Sequence, residues 1–218
     1  MVALTLVLSG CGSAETPAPA KAPAGATLVA TLGDSITAGS PLWDPEPGNR
    51  PPNADERSQF QFWAKAPNRA YRNCGVWGER TDEIAERYES CVAGAKVVIV
   101  QGGINDVVQG RPVAEAATDL RELVRRGKAD GLRVLLTDVL PWNNGYPGAA
   151  EPIRELNGLI RAIATEEGVP LLEFFKTLDD PANPDSMRAE LTTDGNHPNV
   201  AGHRLLGEVL LDGCADVC

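Results

Sequence analysis

The chain of 218 residues is 43% hydrophobic and carries a formal net charge of −10. That length supplies one well-cored domain without a second core, and an acidic balance with scattered Lys and Arg excludes the basic patch of a nucleic-acid binder. No segment approaches the roughly 18 continuous apolar residues of a membrane span, and five Cys and two His without CxxC or paired His/Cys spacing leave no metal or other cofactor to expect.

Residues 1–8, MVALTLVL, form a short apolar run followed by Ser9-Gly10-Cys11. This resembles a bacterial lipoprotein signal, which is cut before a cysteine that then carries lipid. The positive n-region of such signals is missing, since no Lys or Arg precedes Lys21. An ordinary secretory h-region is the alternative. The resemblance implies a signal peptide over residues 1–10, a lipidated Cys11 and a Pro/Ala-rich linker over 11–26. The folded domain would then span 27–218 and sit outside the cytoplasm, secreted or held to the bacterial membrane only through Cys11. A monomer is expected.

Residues 27–35, TLVATLGDS, read as a buried strand stopped by a Gly-Asp turn. Ser35 then stands at the C-terminal end of a strand, the edge where open α/β sheets bind ligands. It is the first candidate nucleophile, although Gly-Asp-Ser is also ordinary turn chemistry. Residues 40–57 hold five prolines and no apolar periodicity, so a long loop or lid is expected. Among the nearby aromatics, Phe60 and Trp63 are assigned to the core; Trp43 is the better candidate for lining a substrate pocket.

A second strand is predicted over residues 70–74 and a helix from Thr81, whose acidic followers Asp82 and Glu83 suit exposed amides. The run 96–101, KVVIVQ, reads as a strand covered on both faces and ends in Gly102-Gly103-Ile104-Asn105-Asp106. There follow a helix over 112–128, a strand over 133–137, a loop with Pro141, Asn143, Asn144 and Gly145, a helix over 151–167, a strand over 169–172, a polar loop through Asp185 and a last helix over 199–211. Five strands separated by helical crossovers predict one α/β domain with a parallel sheet. With Cys11 set aside, Cys74, Cys91, Cys214 and Cys218 allow three pairings. Sequence proximity favours Cys74 with Cys91 and Cys214 with Cys218, buried free thiols being the alternative.

Asp194-Gly195-Asn196-His197-Pro198-Asn199 offers a candidate base, a polar turn with a solvated histidine being the alternative. Pro198 pushes His197 into extended backbone just ahead of a helix, and Asp194 lies three residues back across a Gly-containing turn, within reach of one imidazole nitrogen. One short loop could thus supply both base and orienter. The rival, His203, falls inside the terminal helix, where packing or surface placement is expected.

Gly33-Asp34-Ser35-Ile36-Thr37, Asn73 through Gly78, Gly103-Ile104-Asn105-Asp106, and Asp194 with His197 together resemble, in order, the four sequence blocks of the SGNH or GDSL hydrolase family. The resemblance implies a flavodoxin-like three-layer α/β/α sandwich around a five-stranded parallel sheet. It also implies Ser35 as nucleophile, His197 as general base and acid, and Asp194 as orienter, with an oxyanion hole from the amides of Ser35 and Gly78 and the side-chain amide of Asn105. Gly78 is preferred to Gly75 because it lies five residues after Asn73 and directly before the helix. The implied activity is hydrolysis of carboxylic esters of short-chain acyl or O-acetylated substrates through an acyl-enzyme; a lysophospholipase or thioesterase, or a non-catalytic envelope-anchored binding module, are alternatives. The partner is accordingly an ester of a small molecule, lipid or acylated carbohydrate. No Gly-x-Ser-x-Gly elbow, Gly-x-Gly-x-x-Gly or P-loop competes.

Overall fold

The computed structural model describes residues 23–142, 148–215 and 218. The leader, Cys11, most of the linker, and Asn143, Asn144 and Gly145 lie outside the described residues.

In chain order the elements are β1 (Thr27–Gly33), α1 (Ser35–Ala38), α2 (Phe60–Trp63), β2 (Arg69–Gly75), α3 (Thr81–Glu86), α4 (Tyr88–Val92), β3 (Val97–Val100), α5 (Ile104–Val108), α6 (Val113–Ala129), β4 (Arg133–Thr137), α7 (Ala150–Glu167), β5 (Leu171–Leu172), α8 (Phe174–Leu178), β6 (Asp179–Asp180), β7 (Asn183–Met187) and α9 (Val200–Gly213). The first five strands form one parallel sheet in the order β2-β1-β3-β4-β5. This is the expected architecture. Every side chain of β3 is fully buried, which is why its sequence is a continuous apolar run and not an alternating one. Helices α3 and α6 pack together, as do α6 and α7, while α2 and α8 both pack on α9.

Chain order 2-1-3 places the reversal of winding between β1 and β3. Ligands of doubly wound sheets bind at that point, outside the carboxyl ends of the strands. In register, Gly33 pairs with Gly75 and Leu32 with Val100, so the three strands end level with one another. The Ser35, Gly78 and Asn105 segments all leave the sheet there.

Several elements depart from the sequence expectations. The helix predicted from Thr81 is two short helices broken at Arg87. The last strand is only Leu171–Leu172: Pro170 has no N–H to donate and takes part through its carbonyl, which accepts from Leu136 N at 3.0 Å. The polar loop before Asp185 contains an antiparallel hairpin, β6 with β7. Residues 40–57 form a loop with two 3₁₀ turns, anchored by Asp55 N–H to Leu42 O at 2.8 Å. Phe60 is core, edge-on to Phe174 at 5.3 Å between centroids. Trp63 is only half-buried, its indole N–H donating to Arg57 O at 2.7 Å. The cysteines join as Cys74–Cys91 and Cys214–Cys218, the proximity pairing.

Candidate active site

Ser35 is the first residue of α1, immediately after the β1 turn. Asp34 caps that short helix, its Oδ1 accepting from Ile36 N at 2.9 Å. Gln101, at the end of β3, braces the same turn through Oε1, which accepts from Asp34 N at 3.2 Å, Thr37 N at 3.3 Å and Thr37 Oγ1 at 2.8 Å. The serine is thus held by the two central strands at once. Its N–H, at the start of a helix, has no carbonyl within the helix to donate to.

His197 Nε2 lies 3.2 Å from Ser35 Oγ, and His197 Nδ1 lies 2.7 Å from Asp194 Oδ2. Two segments 162 residues apart therefore meet in one hydrogen-bonded line. The loop is tightly fixed. Asp194 Oδ1 accepts from the backbone N–H of Asn196 at 2.8 Å and of His197 at 2.7 Å. The Thr192 hydroxyl donates to His197 O at 2.7 Å and accepts from Gly195 N at 2.9 Å. Asn199 caps α9 through Ala201 N and Gly202 N.

The second and third blocks are tied to each other. Asn105 Nδ2 donates to Glu79 O at 2.8 Å, and Gln109 Nε2 donates to Gly78 O at 2.8 Å. An amide nitrogen carries two N–H groups, so the bond to Glu79 orients the Asn105 amide and spends only one of them. Gly75 and Gly78 differ in kind. Gly75 N–H donates to Asn73 Oδ1 at 2.9 Å, and a Cβ on Gly75 would lie 2.1 Å from Ala38 N. It is a packing glycine whose amide is already used. Gly78 has φ of +80° with open space around its Cα, a left-handed conformation that glycine adopts without strain.

The GDSL-like lipase/acylhydrolase family model matches residues 31–205, most of the chain and all four blocks. The chain belongs to this family. Its fold superposes on a GDSL-like lipase from Bacteroides thetaiotaomicron with a TM-score of 0.72 at 19% identity, covering 88% of this chain and 89% of that one. A lipase/acylhydrolase from Enterococcus faecalis gives 0.70 at 20%, covering 86% and 95%. A member of the lipolytic protein G-D-S-L family from Veillonella parvula gives 0.68 at 21%, covering 86% and 97%. No curated protein matches the chain at a significant level. Family membership makes it a hydrolase, with ester hydrolysis as the general chemistry.

In this GDSL hydrolase the electrostatics separate the acidic groups. Burial works to raise the Asp194 pKa, but the N–H bonds from His197 and Asn196 and the facing imidazole outweigh it and hold the carboxyl below its ordinary value. It stays anionic beside His197. Asp34 is driven the other way, up to about 6, by complete burial, with the Ile36 N–H bond only partly offsetting that. Asp106 is fully buried and fixes α3 to α5, accepting from Thr81 N at 3.0 Å, Thr81 Oγ1 at 2.9 Å and Arg111 Nη1 at 2.6 Å. Among the described residues no group of three or more His, Cys, Asp and Glu side chains could hold a metal ion.

His203 does not compete as base. It is fully buried in α9, neither ring nitrogen has a hydrogen-bond partner among the described residues, and burial, aided by the nearby His197, pushes its pKa down to about 3. Between pH 6.5 and about 3 the unfolded chain takes up a proton that the folded chain refuses, so this residue costs stability progressively as pH falls through that window. His203→Leu is expected to move the acid-unfolding midpoint, followed by circular dichroism, to lower pH. Comparison with wild type isolates the effect from Asp34 and Asp138, whose raised values act with opposite sign.

Two further aromatics bear on the site. Trp43 does not line the large cavity beside the second block; its ring lies under the Arg50 guanidinium, 4.0 Å from the centroid. Instead Trp142, 6% exposed, stands edge-to-face with His197 at 4.9 Å between centroids. Its position just past the end of β4, on the ligand-binding edge, was the available signal. Gln101 carried a similar one, a polar residue closing an apolar strand.

Proposed function

We propose that the chain is a serine esterase acting on short acyl or O-acetyl esters, and the observation that carries this is the continuous line from Asp194 through His197 to Ser35. His197 Nε2 takes the Ser35 hydroxyl proton as Oγ attacks the ester carbonyl carbon. The resulting oxyanion is met by the N–H groups of Ser35 and Gly78 and by Asn105 Nδ2, neutral donors fixed before the reaction starts. The C–O bond of the leaving alcohol then breaks, His197 returns the proton to that oxygen, and the acyl group remains on Ser35. Water, deprotonated by His197, releases the acid and restores the serine.

The apolar leader, the Cys11 box and the two disulfides support an extracytoplasmic, lipid-anchored placement. The polar loop over the second block, with Asp44, Glu46 and Asn49, supports short acyl groups. The second reading, a lysophospholipase or thioesterase, is favoured by a mostly apolar groove of about 470 Å³ lined by Leu42, Trp63, Val200 and Ala201, with Arg204 and with Asn199, two residues past His197. A series of p-nitrophenyl esters separates them. Short-chain preference predicts kcat/KM highest on acetate or butyrate and at least tenfold lower on octanoate; a rise continuing to palmitate supports the second reading.

A further inference from the structure

A cavity of about 760 Å³ runs between the 44–49 segment and the second-block turn. Its volume is that of a small-molecule site, about 300–1,000 Å³. Its lining includes Asp44, Glu46, Asn49, Asn73, Trp77 and Arg87. Two of these are internal braces. Asn73 spends its side chain on Ala38 O, Gln59 Oε1 and Gly75 N–H, and Arg87 on Glu79, Cys74 O and Gly33 O. The remaining polar groups face no such demand: Glu46 and Asn49 are exposed, and Asp44 commits one carboxylate oxygen to Glu46 N–H at 2.8 Å, with acceptor capacity left over. Trp77 is 41% exposed, one of the few large hydrophobic side chains turned to solvent.

The cavity adjoins two segments that carry the proposed reaction centre. Its wall at Val76 is bonded to Gly33, two residues before Ser35, by Val76 N–H to Gly33 O at 3.1 Å, and Trp77 directly precedes Gly78. The 44–49 wall is itself pinned, with Arg50 Nε donating to Asp44 O at 3.0 Å while its guanidinium covers Trp43.

An open indole beside carboxylates and an amide suits one class of molecule. A pyranose presents a flat C–H face that an aromatic ring covers and a rim of hydroxyls that carboxylates and amides bind. An alkyl chain would leave Asp44 and Glu46 desolvated without partners, and a phospholipid's phosphate would meet like charge in a chain of net charge −10. We propose that the groove between Trp77 and the Asp44, Glu46 and Asn49 loop binds the sugar of an O-acetylated oligosaccharide, so that the alcohol released is a saccharide hydroxyl. This rests on the esterase reading. The acetyl carbon–oxygen bond breaks, the sugar oxygen leaves with the proton from His197, and acetate follows by hydrolysis of the acyl-serine.

The test measures kcat/KM of the folded protein for partly O-acetylated xylotriose, for p-nitrophenyl acetate and for lysophosphatidylcholine micelles, in wild type, Trp77→Ala and, as a second surface variant, Glu46→Ala. Wild type is expected to release acetate from the saccharide, and both variants to lower the saccharide-to-p-nitrophenyl-acetate ratio of kcat/KM, Trp77→Ala by at least tenfold. An unchanged ratio in both variants overturns the proposal, as does a wild type that cleaves p-nitrophenyl acetate or the lysophospholipid but leaves the saccharide acetylated. Failure on every ester is a different result and removes the esterase reading itself.

Discussion

Ser35→Ala and His197→Ala are each expected to lower kcat/KM for p-nitrophenyl acetate by about 10⁴–10⁶-fold. The magnitude follows from the geometry. With Oγ 3.2 Å from His197 Nε2 and no second histidine able to titrate near neutrality, proton removal has a single route. Groups that act as one unit are not additive, so the double variant should be no worse than about the poorer single one. Asp194→Asn is expected to cost about 10⁴ through the imidazole tautomer while leaving the loop folded. Stopped assays at high enzyme concentration read all four; wild-type-like turnover in Ser35→Ala would remove the serine from the mechanism.

Asn105→Ala is the second large effect, a fall in kcat of about 10²–10³-fold with KM changed little. The donor matters most when the carbonyl oxygen becomes an oxyanion, so its loss should appear in the transition state and not in ground-state binding. A structural role alone, holding Glu79 O at 2.8 Å, would instead lower thermal stability and raise KM as the second-block turn loosened. The split between kcat and KM, measured with thermal denaturation, distinguishes the two.

The sheet was legible because β1, β3 and β4 are apolar runs punctuated by glycine or by charged ends. The serine, histidine and aspartate were legible because strand-end and pre-proline positions place polar groups on the ligand edge. What was missed has physical reasons. Helices α1 and α5, of four and five residues, are too short for helical periodicity to show. The β6–β7 hairpin uses Asn183, Pro184 and Asp185, residues that propensity assigns to turns. Trp142 went unread because a lone aromatic after a strand reads the same whether it supports a catalytic loop or fills a core. Gln101 was hidden as the last letter of an apolar strand, although three hydrogen bonds converge on its side-chain oxygen.

The most direct measurement is covalent trapping. A fluorophosphonate reacts only with a serine whose proton is being taken, so incubation of the protein followed by peptide mass spectrometry reports the nucleophile without any assumption about substrate. A single adduct on the peptide containing Ser35, lost in Ser35→Ala and slowed by orders of magnitude in His197→Ala, is the predicted result. No adduct on the folded protein, or an adduct at another residue that persists in Ser35→Ala, would contradict it.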